Sequence, residues 1–151
     1  MGRGRREQPI EEADIRDATA DGRGVAAVEG KAVFVDAALT GERVRFQRMR
    51  RRKNFDEAAL LEVLVPAPER VTPVCEYFGL CGGCSLQHLS SEGQVALKQN
   101  SLLQSLQRIG KVSPLDELAP LAGVPTGDRR RAPGGVRSVE KKERGLVGLR
   151  E

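Results

Sequence analysis

The stretch G-V-A-A-V-E-G-K-A-V-F-V-D, residues 24–36, places two runs of small and β-branched side chains on either side of Gly30. Such side chains suit pleated backbone, and a glycine between two such runs is a hairpin signal. The stretch therefore predicts strands over 24–29 and 31–36 and sets the class of the N-terminal region as mostly β. On its N-terminal side, residues 15–19 read as one more strand. On its C-terminal side, Leu39-Thr40-Gly41-Glu42 is a turn, followed by an alternation through Val44 and Phe46 and, less regularly, Met49. Residues 58–65, A-A-L-L-E-V-L-V, are continuously apolar and suit either a buried strand or a helix, and Pro66 and Pro68 end either one. Counted as a strand, this segment brings the total to about five strands in roughly fifty residues, the size of a small closed or partly closed barrel of the OB type.

Beyond the barrel, all three cysteines fall in one short loop, C-E-Y-F-G-L-C-G-G-C-S-L-Q-H (75–88), as Cys75, Cys81 and Cys84. Gly79, Gly82 and Gly83 between them let the backbone turn tightly enough for several sulfurs to converge. The N-terminus is Arg- and Glu-rich without the apolar segment of a signal peptide, so the expected compartment is reducing and cytoplasmic. In such a compartment a metal or iron–sulfur site is favoured over a structural disulfide. Soft thiolates suit both zinc and iron–sulfur clusters. The single histidine, His88, would complete a Cys3His zinc set, whereas a four-cysteine cluster would need one more thiol.

Residues 91–110 read as a helix. Ser91 and Gln94 form a capping box, Val95, Leu102, Leu106 and Ile109 share a face, and Gly110 is the stop. Pro114, Pro120 and Pro125 mark a linker, and V-R-S-V with G-L-V-G-L in 136–150 resumes a weak strand pattern. The organisation expected is a flexible tail over 1–11, a barrel over 12–70, a cysteine loop over 71–90, a helix and linker over 91–127, and the start of a truncated α/β part over 128–151.

The 151 residues carry a net charge of +4, with positive charge concentrated at Arg48, Arg50, Arg51, Arg52 and Lys53 and again between Arg129 and Arg144. Local basic runs on a mildly basic chain favour a polyanion partner, most often nucleic acid. With 3% aromatics and no tryptophan, the core is expected to be aliphatic, and no aromatic-rich base-stacking platform is expected. No apolar run is long enough to span a bilayer. A phosphate-binding G-x-x-x-x-G-K-[ST] loop is absent from the sequence, and one histidine gives a hydrolytic triad no support.

Several stretches resemble the bacterial RNA uracil-C5 methyltransferase family, and within it the enzymes acting on 23S ribosomal RNA. They are D-G-R-G-V-A (21–26), K-A-V-F-V (31–35), G-E-R-V (41–44), R-V-T-P (70–73) and, most specifically, C-E-Y-F-G-L-C-G-G-C-S-L-Q-H-L (75–89). The resemblance implies an RNA-binding TRAM barrel, and it matches Cys75, Cys81 and Cys84 to three of four cysteines that hold a [4Fe-4S] cluster. The fourth cysteine, the S-adenosylmethionine-binding fold, the catalytic cysteine and the general base have no counterpart here. The chain by itself is therefore expected to be inactive. D-R-R-R-A-P-G-G (128–135) stands where the family carries an aromatic and an Arg-rich strand, Ser138 replaces an expected aromatic, and Pro133 speaks against a regular strand. From a different class comes a non-catalytic RNA-binding module with a Cys3His zinc site. A third reading is a degraded gene product that folds only as a small barrel.

Overall fold

The computed structural model describes residues 8–127, 131, 134–139 and 144–148. The chain divides into two compact units, with the boundary between Arg70 and Val71.

The first unit is a six-stranded sheet of β1 (Ile10–Asp14), β2 (Asp17–Ala18), β3 (Gly24–Val28), β4 (Lys31–Asp36), β5 (Arg43–Arg51) and β6 (Phe55–Val65). Its order is β1-β5-β6-β4-β3-β2. The expected hairpin is present, with Gly24 opposite Val35 and Val28 opposite Lys31. Its two-residue loop has positive φ at both Glu29 (52°) and Gly30 (78°), the backbone that a tight hairpin with right-twisted strands requires. Residues 58–65 belong to strand β6, which pairs antiparallel with β5 and parallel with β4. The hydrogen-bonded ladder does not close on itself. Instead one bent stretch supplies both edges: β1 pairs with β5, the chain turns through Ile15 and Arg16, and β2 pairs with β3. Ile15 N–H donates to Glu42 O at 2.8 Å and Arg16 N–H to Val25 O at 2.9 Å, so the bend itself is bonded to both sides. The arrangement is barrel-like.

Two sequence expectations are corrected here. The expected strand over 15–19 is present only as the two-residue β2, and a further strand, β1, precedes it over 10–14, so the expected tail of 1–11 gives up its last two residues. In β5 the inward positions are Val44, Phe46 and Arg48, all buried, while Met49 is 52% exposed. Alternation carried past Phe46 leads to Arg48, not to the apolar Met49.

The core is Ile15, Ala26, Val33, Val35, Ala38, Val44, Phe46 and Ala58, with Ala13, Val28, Leu60 and Val63 packed against it. It is mainly aliphatic, as composition requires. At Gly24 a Cβ would stand 2.9 Å from Ala38 Cβ, Ala38 O and Ile15 Cγ2. A backbone oxygen cannot yield as a flexible side chain can. Gly24→Ala is therefore expected to destabilise this unit by about 1–3 kcal/mol, read as a lower urea midpoint with unchanged slope.

Two buried carboxylates bind the sheet's ends. Glu42, fully buried, accepts from Leu39 N–H at 2.8 Å, Ala67 N–H at 3.3 Å and both Nε and Nη2 of Arg70; Arg70 Nη2 also donates to Ala37 O at 2.8 Å. Asp56, also fully buried, accepts from Lys31 Nζ at 2.5 Å, Arg48 Nη1 at 2.8 Å and Arg52 N–H at 3.2 Å.

In the second unit the cysteine loop precedes α1 (Ser91–Ser105), a π-helical turn over Leu106–Gly110, and an antiparallel pair of β7 (Gly135–Val139) and β8 (Arg144–Gly148). The helix cap is Ser90, whose side chain accepts from Gly93 N–H at 3.1 Å; Ser91 is the first helical residue. Gln94 turns its amide to Leu86 O and Leu89 O rather than back to the cap, so the expected capping box is replaced by a tie to the loop. Termination falls at Lys111 (φ 54°) rather than Gly110, after the backbone has widened into the π turn. No residue of α1 is buried, and Leu102 and Ile109 are exposed. The 1–7 part of the tail, most of D-R-R-R-A-P-G-G and much of the second basic run lie outside the described residues.

Candidate cysteine loop and basic strand

Residues 75–88 form a chain of tight turns. Phe78 N–H donates to Cys75 O at 3.1 Å, and Leu80 and Cys81 N–H both donate to Tyr77 O, at 3.1 and 2.9 Å. Of the three loop glycines the sequence singled out, Gly79 takes a positive φ (87°) and carries the turn between Cys75 and Cys81. Cys75 and Cys81 are half-buried and Cys84 is exposed, and all three are free thiols. Two donors point at sulfur: Gly83 N–H to Cys81 Sγ at 3.4 Å and Gln87 Nε2 to Cys84 Sγ at 3.1 Å. The same Gln87 accepts from Cys75 N–H at 3.3 Å, so one carboxamide links the first and last cysteines. Sequence reasoning gave Gln87 no role. Its signal was its place in the L-Q-H triplet three residues after Cys84.

His88 is 1% exposed, with its ring against Phe78 at a centroid distance of 5.2 Å, and its carbonyl accepts from Val71 N–H at 3.0 Å. The donor set, three soft thiols on one short loop with N–H groups aimed at two of them, suits iron–sulfur chemistry. In the present arrangement the thiols do not converge: among the described residues no three His, Cys, Asp or Glu side chains are gathered closely enough to hold a metal ion.

The basic run at the end of β5 divides into two kinds of residue. Arg48 is 7% exposed and held by Asp56 and by Glu11, at 2.8 Å each, so its guanidinium is committed inside the fold. Arg50, Arg51, Arg52 and Lys53 are exposed. Arg50 and Arg52 share the Glu57 carboxylate at 3.7 and 4.0 Å, distances too long for a firm charge-assisted hydrogen bond. Four cations at one strand end and its turn make a polyanion contact geometrically available. Among the described residues, no helix is long and apolar enough to cross a membrane.

No protein-family model matches the chain. Relatives are nonetheless numerous and close. The 23S rRNA (uracil(1939)-C(5))-methyltransferase RlmD of Nitrosococcus oceani is 51% identical over 145 residues, 95% of this chain and 32% of the relative. That of Alkalilimnicola ehrlichii is 48% identical over 153 residues, covering all of this chain and 34% of the relative. The protein of the same name from Stenotrophomonas maltophilia is 49% identical over 143 residues, 93% and 32% of the two lengths. The chain thus spans about a third of the length of the curated relatives it matches, with the cysteine loop inside the matched region. Over nearly its whole extent the chain is therefore similar to about a third of proteins named 23S rRNA (uracil(1939)-C(5))-methyltransferase.

Proposed function

We propose that these residues are the RNA-binding and [4Fe-4S]-carrying portion of an S-adenosylmethionine-dependent 23S rRNA (uracil-C5)-methyltransferase. The single observation that carries the reading is the match across the entire chain, cysteine loop included, to relatives bearing that name. The barrel-like unit would act as a TRAM-type RNA-binding domain, and the exposed Arg50, Arg51, Arg52 and Lys53 would neutralise phosphates. Arg48 would act from inside, fixing the strand that presents them. Cys75, Cys81 and Cys84 would hold three corners of the cluster, with Gln87 and the Gly83 N–H donating to sulfur. Donors to thiolate sulfur stabilise its negative charge and tune a cluster's potential. Methyl transfer itself, with its thiolate nucleophile, base and S-adenosylmethionine pocket, would lie in the remaining length of the family's proteins; no residue of this chain is assigned to it.

Two measurements test the reading. Chain reconstituted anaerobically with iron and sulfide should turn brown and bleach in air, because three thiolates leave one iron without a protein ligand. Cys81→Ser should abolish the colour and His88→Ala should keep it. A colourless protein carrying one zinc, lost with His88→Ala, would instead support the non-catalytic Cys3His module and overturn the cluster. For RNA, affinity for a single strand should fall with salt at a slope of about −0.7 per phosphate contact. Replacing Arg50, Arg51 and Arg52 together by alanine should flatten that slope by about 2 if each holds one phosphate. An unchanged slope would make the run a solvated face.

A further inference from the structure

On the outward face of β4 and β6, two phenylalanines distant in sequence meet. Phe34 and Phe55 lie edge to face, with centroids 5.3 Å apart and planes at 76°. The guanidinium of Arg23 sits 5.2 Å from the Phe34 centroid. Val33, Val35, Asp56 and Ala58 point into the core, so Phe34, Phe55 and Glu57 face outward by strand alternation, and both rings are only half-buried. Their meeting follows from the parallel register of β4 and β6, which sets Ala32 opposite Phe55 and Phe34 opposite Glu57.

The same row continues across the sheet. Glu57 stands opposite Arg50 on β5, so Phe34 and Arg50 are two strands apart on one face, about 10 Å between backbones. Arg23, Arg50 and Arg52 keep 37%, 70% and 52% of their side chains exposed. Asp21 holds Arg23 at 3.0 Å, whereas Glu57 is only loosely shared by the other two. A planar cation and two rings beside exposed arginines match the chemistry of single-stranded nucleic acid: a flat π face for a base and guanidinium groups for the adjoining backbone.

We propose that Phe34, Phe55 and Arg23 form a stacking platform for one unpaired base of single-stranded RNA, with Arg50 and Arg52 taking the neighbouring phosphates. The proposal rests on the RNA-binding reading above and adds to it a surface that touches a base. The aromatic-poor composition hides this platform, because two rings suffice once the sheet brings them together.

The test uses the full chain and a fluorescein-labelled oligouridylate. Phe34→Leu should weaken binding about ten-fold, within the range seen when a stacking side chain is truncated, and leave the salt slope unchanged because no phosphate contact is lost. The chain has no tryptophan and one tyrosine, so Phe34→Trp introduces a single tryptophan, excited selectively at the red edge where tyrosine does not absorb. It should bind as tightly as the unaltered chain, with its emission quenched on saturation by RNA. Wild-type affinity in Phe34→Leu, or unquenched emission from Phe34→Trp at saturation, would overturn the platform while leaving RNA binding by the arginines intact. Failure of the unaltered chain to bind the oligonucleotide would overturn both.

Discussion

Glu42→Ala is expected to lower the stability of the β unit by about 3–5 kcal/mol, the cost of breaking a buried ion pair from one side. Burial alone would raise the pKa of this carboxyl. The hydrogen bond from Arg70 and the Leu39 and Ala67 N–H groups outweigh it, and the pKa ends below the usual range. Removing the carboxylate leaves the guanidinium of Arg70 half-buried and the N–H groups of Leu39 and Ala67 without their acceptor. Arg70→Ala should also destabilise, but by less, because the orphaned carboxyl can take up a proton. Urea titrations of both single variants and the double variant measure the coupling. A loss under about 1 kcal/mol for Glu42→Ala would mean that the clasp is no stronger than a surface pair.

The second large effect concerns acid. Asp56 has a lowered pKa: burial opposes ionisation, but the hydrogen bonds from Lys31, the Arg52 N–H and Arg48 prevail. A carboxylate whose folded pKa is depressed contributes stability that is present above its unfolded pKa and lost as pH falls through the folded one. Glu42 behaves alike, so stability should decline progressively below about pH 5. Asp56→Asn keeps the shape and removes the charge. It should be markedly less stable than the unaltered chain at pH 7, and the two should converge as pH falls toward 2. Parallel stability–pH curves would show that Asp56 contributes nothing through its ionisation.

Most of the β topology that depends on neighbours in sequence was legible. The 24–36 hairpin declared itself through β-branched runs and Gly30. Strand β1 did not, because I-E-E-A-D is too acidic to read as a strand; it forms because Glu12 and Asp14 meet Arg43 and Arg45 across the ladder. Arg48 was grouped with its exposed neighbours because a charge run looks uniform in one dimension, whereas pleating sends alternate residues to opposite faces. The cysteine loop was legible as a donor set, but its bridging residue was not: Gln87 acts through both ends of its amide, which only the folded turns bring within reach. Phe34 and Phe55 could not be paired from sequence, since β4 and β6 are parallel neighbours that no single turn connects.

The bent stretch that supplies both margins of the sheet also bears on how the protein behaves in a crowd. An unprotected margin offers its backbone to the next molecule, and edge-to-edge pairing of one sheet with another begins there. Here one margin is a five-residue strand bearing Glu11, Glu12 and Asp14, and the other is only two residues long. A second copy approaching either would meet like charge or too few bonding groups to hold it. The acidic residues that made β1 hard to read as a strand therefore also discourage fibre formation.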